Sequence, residues 1–596
     1  MALLNTADGV FIGSQPVDRL YRGAVMVWER LELAISALLA SYPQSAKYLL
    51  NDFVRYTKAA TRGPEKIGDP GFDDPSFWTN IATGFVVSGG KVSINAGGGQ
   101  ISRHGDTSLV LTNGVPFEYE IEIVSYTSGG VRSSSVTNSS NGELHASVGV
   151  HRGIVLGAGT GWSLRASSAT VLEVGRVSLK ALTNFDATLF QDAEGTIPVT
   201  AVEQPVGRML DLSGHGFHYT QATPTARGIL SARINLLEST ETYTGSNWGN
   251  SINIAAEVNS GVAKLSAIAD GGARFGGSYN RFGGSYLPIT FTSSVDLKAG
   301  TFGWARLSYS FAANAGGVTI NLNTGEVFSA GATAPNLFSV TPLADGWFRV
   351  TLTRISSAYA LNHLAVFLTD FTGQSDGGWN TGLVPIAGQH IFMRRPQFEL
   401  GTAATRYQRV NSATDYDTVG FPHYLVGDGV DDLMTTANFG LTQAGYFFAA
   451  SMRVDTLTGS AGQSNFFGLL GGPTTFARLS VRASGTGGAS SVSATFRQSG
   501  GALTTALVGN AFTPGNPFTA SANFDATTAT VHADPDLTGA LAYAPIAGTV
   551  KSPLQLFGGT PGYRSAFYGG IAIAGMLPAA AQNLVRHYLT AQRTLQ

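Results

Sequence analysis

The chain contains no cysteine, which excludes disulfide scaffolds, cysteine-ligated zinc, iron–sulfur clusters and thiol nucleophiles. It is also poor in charge. Asp, Glu, Lys and Arg make up 13% of residues, about half the ~25% of an ordinary soluble domain. The 37 basic and 39 acidic residues nearly cancel, so the balance leaves no electrostatic footprint for nucleic acid or an anionic membrane. Long apolar runs are missing as well. The most apolar stretch, Ala24 to Tyr42, carries Glu29, Arg30 and Glu32, which are too costly for a lipid-spanning helix. Met1 to Phe11 has neither the basic nor the apolar region of a secretory signal. The expectation is a chain made in a cytoplasm and not inserted in a membrane. Glycine, by contrast, is abundant, at 75 of 596 residues against a usual ~7%. Hydrophobic residues at 43% and aromatics at 10% argue against wholesale disorder. At ~150 residues per domain, the length predicts about four domains.

Residues 1–63 differ in pattern from the rest of the chain. Phe11-Ile12-Gly13, Leu20 to Gly23 and Val25 to Trp28 read as small strands with tight turns. Leu31, Ala34, Ile35, Leu38, Leu39 and Tyr42 then recur at helical spacing. Ala46, Leu49, Leu50, Phe53 and Val54 read as a second helical stripe, ended by Gly63-Pro64. The expectation is an αα-hairpin too small to be a domain alone, whose removal leaves the rest folded. From Gly68 onward the pattern is β. Phe117 to Ile123 alternates apolar and acidic residues over seven positions, the period of a half-buried strand. Val171 to Leu179, Trp347 to Leu352 and Ile391 to Met393 read similarly, separated by Gly, Ser and Asn clusters. That rhythm predicts a mainly β fold of several antiparallel β-sandwich domains, jelly-roll and concanavalin-like. The predicted order is an anchor at 1–63, a sandwich at 64–183, a polar connector at 184–230, a jelly roll at 231–411 and a last sandwich at 412–596. The last unit closes with a helix from Ala579 to Gln592, whose Leu584, Val585, Tyr588 and Leu589 share one face.

The search for chemistry is thin. His215 and His218 have His-x-x-His spacing but lie in a Gly-rich loop without a third ligand. Asp428, Asp431 and Asp432 have the oxygens that Ca²⁺ favours, although Asp-Gly commonly serves a strand-to-turn role. No Gly-x-Ser-x-Gly elbow or phosphate-binding loop occurs. The expectation is no metal, no cofactor, no catalytic residue and no enzyme activity. Binding is easier to support. Trp248, Trp304, Trp347 and Trp379 fall in the 231–411 unit with Tyr243, Tyr279 and Tyr286. Exposed aromatic faces stack on sugar rings. The hexapeptide Arg274 to Tyr279 recurs as Arg281 to Tyr286, with Gly pairs that permit tight turns. Trp347 sits in an alternating strand and reads as core. Trp248, Tyr279, Tyr286 and Trp379 are the candidate glycan-binding residues. The competing reading is a spacer whose aromatics are all internal.

A resemblance emerges from particular segments. Phe11 to Gly23 followed by Val27-Trp28 resembles the opening of tailed-bacteriophage baseplate and fibre proteins. Leu189 to Gly207 and its continuation Leu210 to Gly216 are similar to a connector of phage virion proteins, with His215 where that pattern has Asn. Asn235-Leu236-Leu237, Asp345 to Val350 and Pro396 to Gln408 resemble phage carbohydrate-binding-like jelly rolls. Gly427 to Asp432 looks like the strand end of a laminin-G or concanavalin-like sandwich. The resemblance implies a virion structural protein, of tail-fibre or baseplate-appendage type, assembled in the host cytoplasm. It also implies an N-terminal dock on other virion proteins, a host-surface glycan as ligand and a homotrimer. A capsid-borne head fibre or decoration protein, docking on the capsid, and a glycan depolymerase are the alternatives. The same family pattern runs the connector directly into the Asp-Gly-Val-Asp-Asp strand, which implies that 184–230 and 412–596 form one domain with 231–411 inserted.

Overall fold

The protein is represented by a computed structural model. It describes residues 11–12, 15–16, 23–50, 61–102, 112, 115–136, 142, 144–157, 161–183, 187–195, 197–244, 248, 251–278, 289–309, 317–330, 337–356, 363–370, 383–440, 445–457, 463–469, 476–482, 490–497, 503–525, 527–533, 537–542, 551–557 and 563–594. The described fold is mainly β, built of antiparallel sheets with long helices only at Gly23–Ala40 and Ala579–Thr594. No described helix is long and apolar enough to cross a membrane.

Residues 61–183 form one eight-stranded sheet organised by the strand Trp162–Thr183. Its length lets it pair with Val92–Ser102, Pro116–Ser128, Val131–Ser135 and Thr61–Glu65 in turn. The alternation in Pro116–Ser128 does what its period requires. Phe117, Tyr119, Ile121 and Ile123 are buried with Trp78 and Trp162, while Glu118 and Glu120 point outward and meet Arg62 and Arg152.

Residues 254–400 supply two further sheets. One has six strands from Ile254–Asn259 to His390–Leu400, and the other has five from Ala273–Ser278 to His363–Leu368. Between them lies a core that includes Leu265, Phe291, Val295, Leu307, Val318, Val366 and Phe398.

The largest body is assembled from distant parts of the chain. Leu189–Phe190, Arg208–Met209 and Tyr219–Thr220 lie in a nine-stranded sheet with strands from 434 to 556. Ile229–Ser231 pairs with Tyr424–Gly427, in the register Ile229↔Val426 to Ser231↔Tyr424. The 254–400 body is therefore entered and left from two neighbouring strands. That geometry lets a unit sit inside another without disturbing it.

The N-terminal reading needs correction. Val25 to Trp28 lies in the helix Gly23–Ala40, not in a small strand. Ser45–Leu49 is a strand rather than the start of a second helix, and it pairs with Tyr563–Ala574 from Ser45↔Ile573 to Leu49↔Gly569. Residues 51–60, with Phe53 and Val54, lie outside the described residues. All five residues of Ser45–Leu49 are buried, so this part of 1–63 is integral to the last sandwich and not a removable hairpin. Gly569 permits the close approach, because a Cβ there would lie 2.9 Å from the Tyr48 carbonyl oxygen. Above the sheet, Ile35 and Leu39 pack with Val585, Tyr588 and Leu589. The buried Lys47 ammonium is paired with Glu32, which also accepts from the Tyr588 hydroxyl.

Candidate functional site

Where the inserted body joins the last sandwich, the chain leaves a cleft of about 350 Å³. This is near the lower end of the ~300–1,000 Å³ range of small-ligand sites. Six segments wall it. Glu203 comes from the connector turn, at φ 60°, where its N–H donates to the Leu230 carbonyl. Arg227 comes just after a short 3₁₀ turn, Pro224–Ala226. Tyr424 and Val426 are alternate residues of one strand, and Arg453 and Asp455 are alternate residues of another, so each pair points to one face. Arg564 comes from Tyr563–Ala574, which lies between those two strands, while Leu236 and Leu400 belong to the inserted body.

The polar groups are held by specific partners. The Ser231 and Tyr416 hydroxyls donate to Glu203 Oε1, at 2.6 and 2.7 Å. Arg453 is buried, pairs with both oxygens of Asp455 and lies 4.8 Å from the Tyr424 ring centre. Burial opposes the Arg453 charge, but the Asp455 carboxylate together with the Tyr568 and Tyr424 hydroxyls outweighs it, and the guanidinium is held more firmly protonated than usual. Arg233 is likewise buried, donating to the carbonyls of Asn235, Leu236 and Leu237 and pairing with Glu238 at 3.2 Å.

At one end lies the loop Asp428 to Asp432. Asp428 Oδ1 accepts the Val430 N–H at 2.7 Å, and Asp432 accepts the Asp428 N–H. Burial, and then the neighbouring Asp428 carboxylate, push the Asp432 carboxyl up to about 7. Oxygens of Asp428, Asp431 and Asp432 lie within 4.8 Å of one another. Among the described residues this is the group spaced to hold a hard cation. His215 and His218 do not join such a group. His215 Nδ1 lies 3.0 Å from the Ser45 hydroxyl, and His218 Nδ1 accepts the Asp211 N–H.

His423, beside this cleft wall, gives a pH prediction. Burial pushes its imidazole down to about 4 from an ordinary value of 6.5. The folded state keeps the ring neutral, whereas the unfolded chain takes up a proton below 6.5. Its contribution to stability is therefore present above pH 6.5 and is lost as pH falls towards 4, by about 3 kcal/mol in all. Thermal melts from pH 7.5 to 4 should show this decline together with those of His145, His363 and His532, which burial also holds low, and His423→Gln should make it shallower by its own share. An equally steep decline in the variant would refute the assignment.

The aromatics read from the sequence are not the cleft. The expectation of an exposed ring at Trp248 is corrected. Trp248 is 4% exposed, stacks on Phe275 at 5.5 Å, meets Tyr243 edge-on and donates to the Glu238 carbonyl. Loop composition suggested solvent, but the side chain enters the core. Tyr279, Tyr286 and Trp379 lie outside the described residues. Trp347 is buried as expected, with the Arg394 guanidinium 4.1 Å from its ring. The second face of the five-stranded sheet carries one aligned row, Arg274, Phe367, Arg306, Thr319 and Phe328. Phe367, Arg306 and Thr319 are fully covered, so this face is not an open platform. Glu203, Arg227, Arg453, Asp455 and Arg564 were missed. The one sequence signal was Arg453-x-Asp455, two opposite charges in an otherwise apolar strand of a charge-poor chain.

No family model and no curated protein matches the chain. Solved structures do. A mouse laminin alpha1 chain comprising domains LG4-5 is similar at 14% identity and a TM-score of 0.18, over 54% of this chain and 89% of that one. A GH43 protein from Bacillus licheniformis is similar at 11% identity and a TM-score of 0.20, over 84% of this chain and 99% of that one. A Trypanosoma rangeli sialidase is similar at 11% identity and a TM-score of 0.23, over 86% of this chain and 84% of that one. The appearance of glycoside hydrolases overturns the expectation that an enzyme is excluded. At these scores the likenesses carry no argument for where a reaction would occur.

Proposed function

We propose that this chain is a host-attachment protein of a bacteriophage particle, of tail-fibre or baseplate-appendage type, and that it holds a surface saccharide in the junction cleft. The observation that carries the binding reading is the cleft itself. It combines carboxyl acceptors at Glu203, Asp428 and Asp432 with guanidinium donors at Arg227 and Arg564, the complement that hydroxyl-rich ligands require. The particle reading is supported by the resemblance of the N-terminal, connector, jelly-roll and Gly427-to-Asp432 segments. Docking belongs to the N-terminal region, and the working unit is a homotrimer in the virion. Affinity per cleft is in the millimolar to micromolar range, made useful by many copies on one particle.

The test is a glycan array probed with the full chain, followed by titration of the best hit. Binding that falls at least fivefold in Arg227→Ala, with an unchanged melting temperature, supports the cleft. No binding across the array overturns the reading. Assaying the same glycan for new reducing ends shows whether binding leads to cleavage. Labelled chain absent from purified particles would remove the particle assignment.

A further inference from the structure

The cleft also carries a charge inventory, and the inference drawn from it rests on the saccharide reading above. Four guanidinium and four carboxyl groups line it. Two of the guanidiniums are already matched inside the protein, Arg453 by Asp455 and Arg233 by Glu238. Arg227 spends Nε and Nη2 on the carbonyls of Gln221 and Ala222, at 3.1 and 3.0 Å. Among the described residues neither Asp428 nor Asp432 forms an ion pair. Glu203 is held by hydroxyls alone. What remains for a ligand is thus at most two cationic donors against three acidic acceptors.

We propose that the cleft selects uncharged, hydroxyl-rich saccharides and discriminates against their carboxylate-bearing counterparts. A sugar hydroxyl donates to a carboxylate and accepts from a guanidinium, so both kinds of wall group are used without transferring a charge from water. A uronate or sialate brings a further negative group beside Glu203, Asp428 and, above about pH 7 where its carboxyl is ionised, Asp432. It must also leave water, and two of the four guanidiniums, Arg453 and Arg233, are buried and already committed to Asp455 and Glu238. Like charges placed together in a partly desolvated site disfavour binding and act as a filter between otherwise similar ligands. The inventory therefore opposes the sialic-acid ligand that the sialidase likeness would bring to mind.

The experiment uses the full chain at pH 8, where Asp432 is ionised, in EDTA, so that no divalent cation contributes, and matched pairs of probes. Oligosaccharides ending in glucose, galactose or mannose are compared by calorimetry with the same oligosaccharides ending in the corresponding uronate, and with a sialyl oligosaccharide. The expected result is that at least one neutral probe binds and that its uronate partner binds tenfold or more weakly. Asp428→Asn, which keeps an oxygen to accept the Val430 N–H, should narrow that ratio to threefold or less by removing one negative charge. A uronate or sialyl probe that binds as well as or better than the neutral probes overturns the selectivity and leaves the saccharide reading standing. An unchanged ratio in a folded Asp428→Asn also overturns it, because the discrimination then does not arise from this charge. Failure of every probe, neutral and acidic, overturns both.

Discussion

Replacing Tyr48 with alanine is expected to lower the melting temperature of the last sandwich by on the order of 10 °C. The ring is fully buried, packs against Tyr219 with centroids 4.4 Å apart, and its hydroxyl donates to the Phe217 carbonyl. Truncating a buried aromatic costs about 3–5 kcal/mol, and 1 kcal/mol shifts a body of this size by about 2–4 °C. Removing residues 1–50 altogether should do more, because it strips the neighbour from one side of Tyr563–Ala574 between Gly569 and Ile573. Calorimetry reads both variants. An unchanged transition of the last sandwich in either would mean that Ser45–Leu49 does not complete this sheet in solution. The result also separates this structure from the reading of 1–63 as a detachable anchor.

That misreading has a physical origin. Ala46, Leu49 and Leu50 have helical spacing, but Ser45–Leu49 is buried on both faces, and such a strand shows no alternation to betray it. Even Lys47 is inside, neutralised by Glu32. Pro116–Ser128, with one wet face, was legible because its burial alternates residue by residue. The C-terminal helix was legible for the same reason, since Val585, Tyr588 and Leu589 form one stripe. The cleft was not legible, because its walls come from residues between Glu203 and Arg564 that meet only after folding. Trp248 shows the converse limit: its Gly- and Asn-rich neighbours describe the backbone, while the ring is inserted between Tyr243 and Phe275.

The second large effect is expected at the buried ion pair. Asp455→Ala leaves the Arg453 guanidinium buried and without its carboxylate, and should cost about 3–5 kcal/mol. The same sandwich should then melt on the order of 10 °C lower. Tyr568, which accepts from Arg453 at 3.3 Å, supplies a hydroxyl and no charge. Replacing both members at once, as Arg453→Met with Asp455→Leu, should recover most of the loss, because no charge then remains to be desolvated. The two melts together decide the matter. A single variant as stable as the parent would show that Arg453 reaches water, and a double variant as unstable as the single would show that packing rather than charge dominates.

Tyr563–Ala574 also constrains the order in which the protein folds. It holds Tyr446–Leu457 on one side and, on the other, Tyr424–Gly427 and Ser45–Leu49 in tandem. Ser45–Leu49 must therefore wait for a partner synthesised more than 500 residues after it, as the pairs Leu49↔Gly569 and Ser45↔Ile573 show. Closing so long a loop costs only slowly more entropy than a shorter one, but pairings of this separation form late. During that wait the 254–400 body, whose paired strands all lie within its own span, has everything it needs to fold. The strand Ser45–Leu49 meanwhile remains an unpaired apolar segment that neighbouring chains under synthesis can capture.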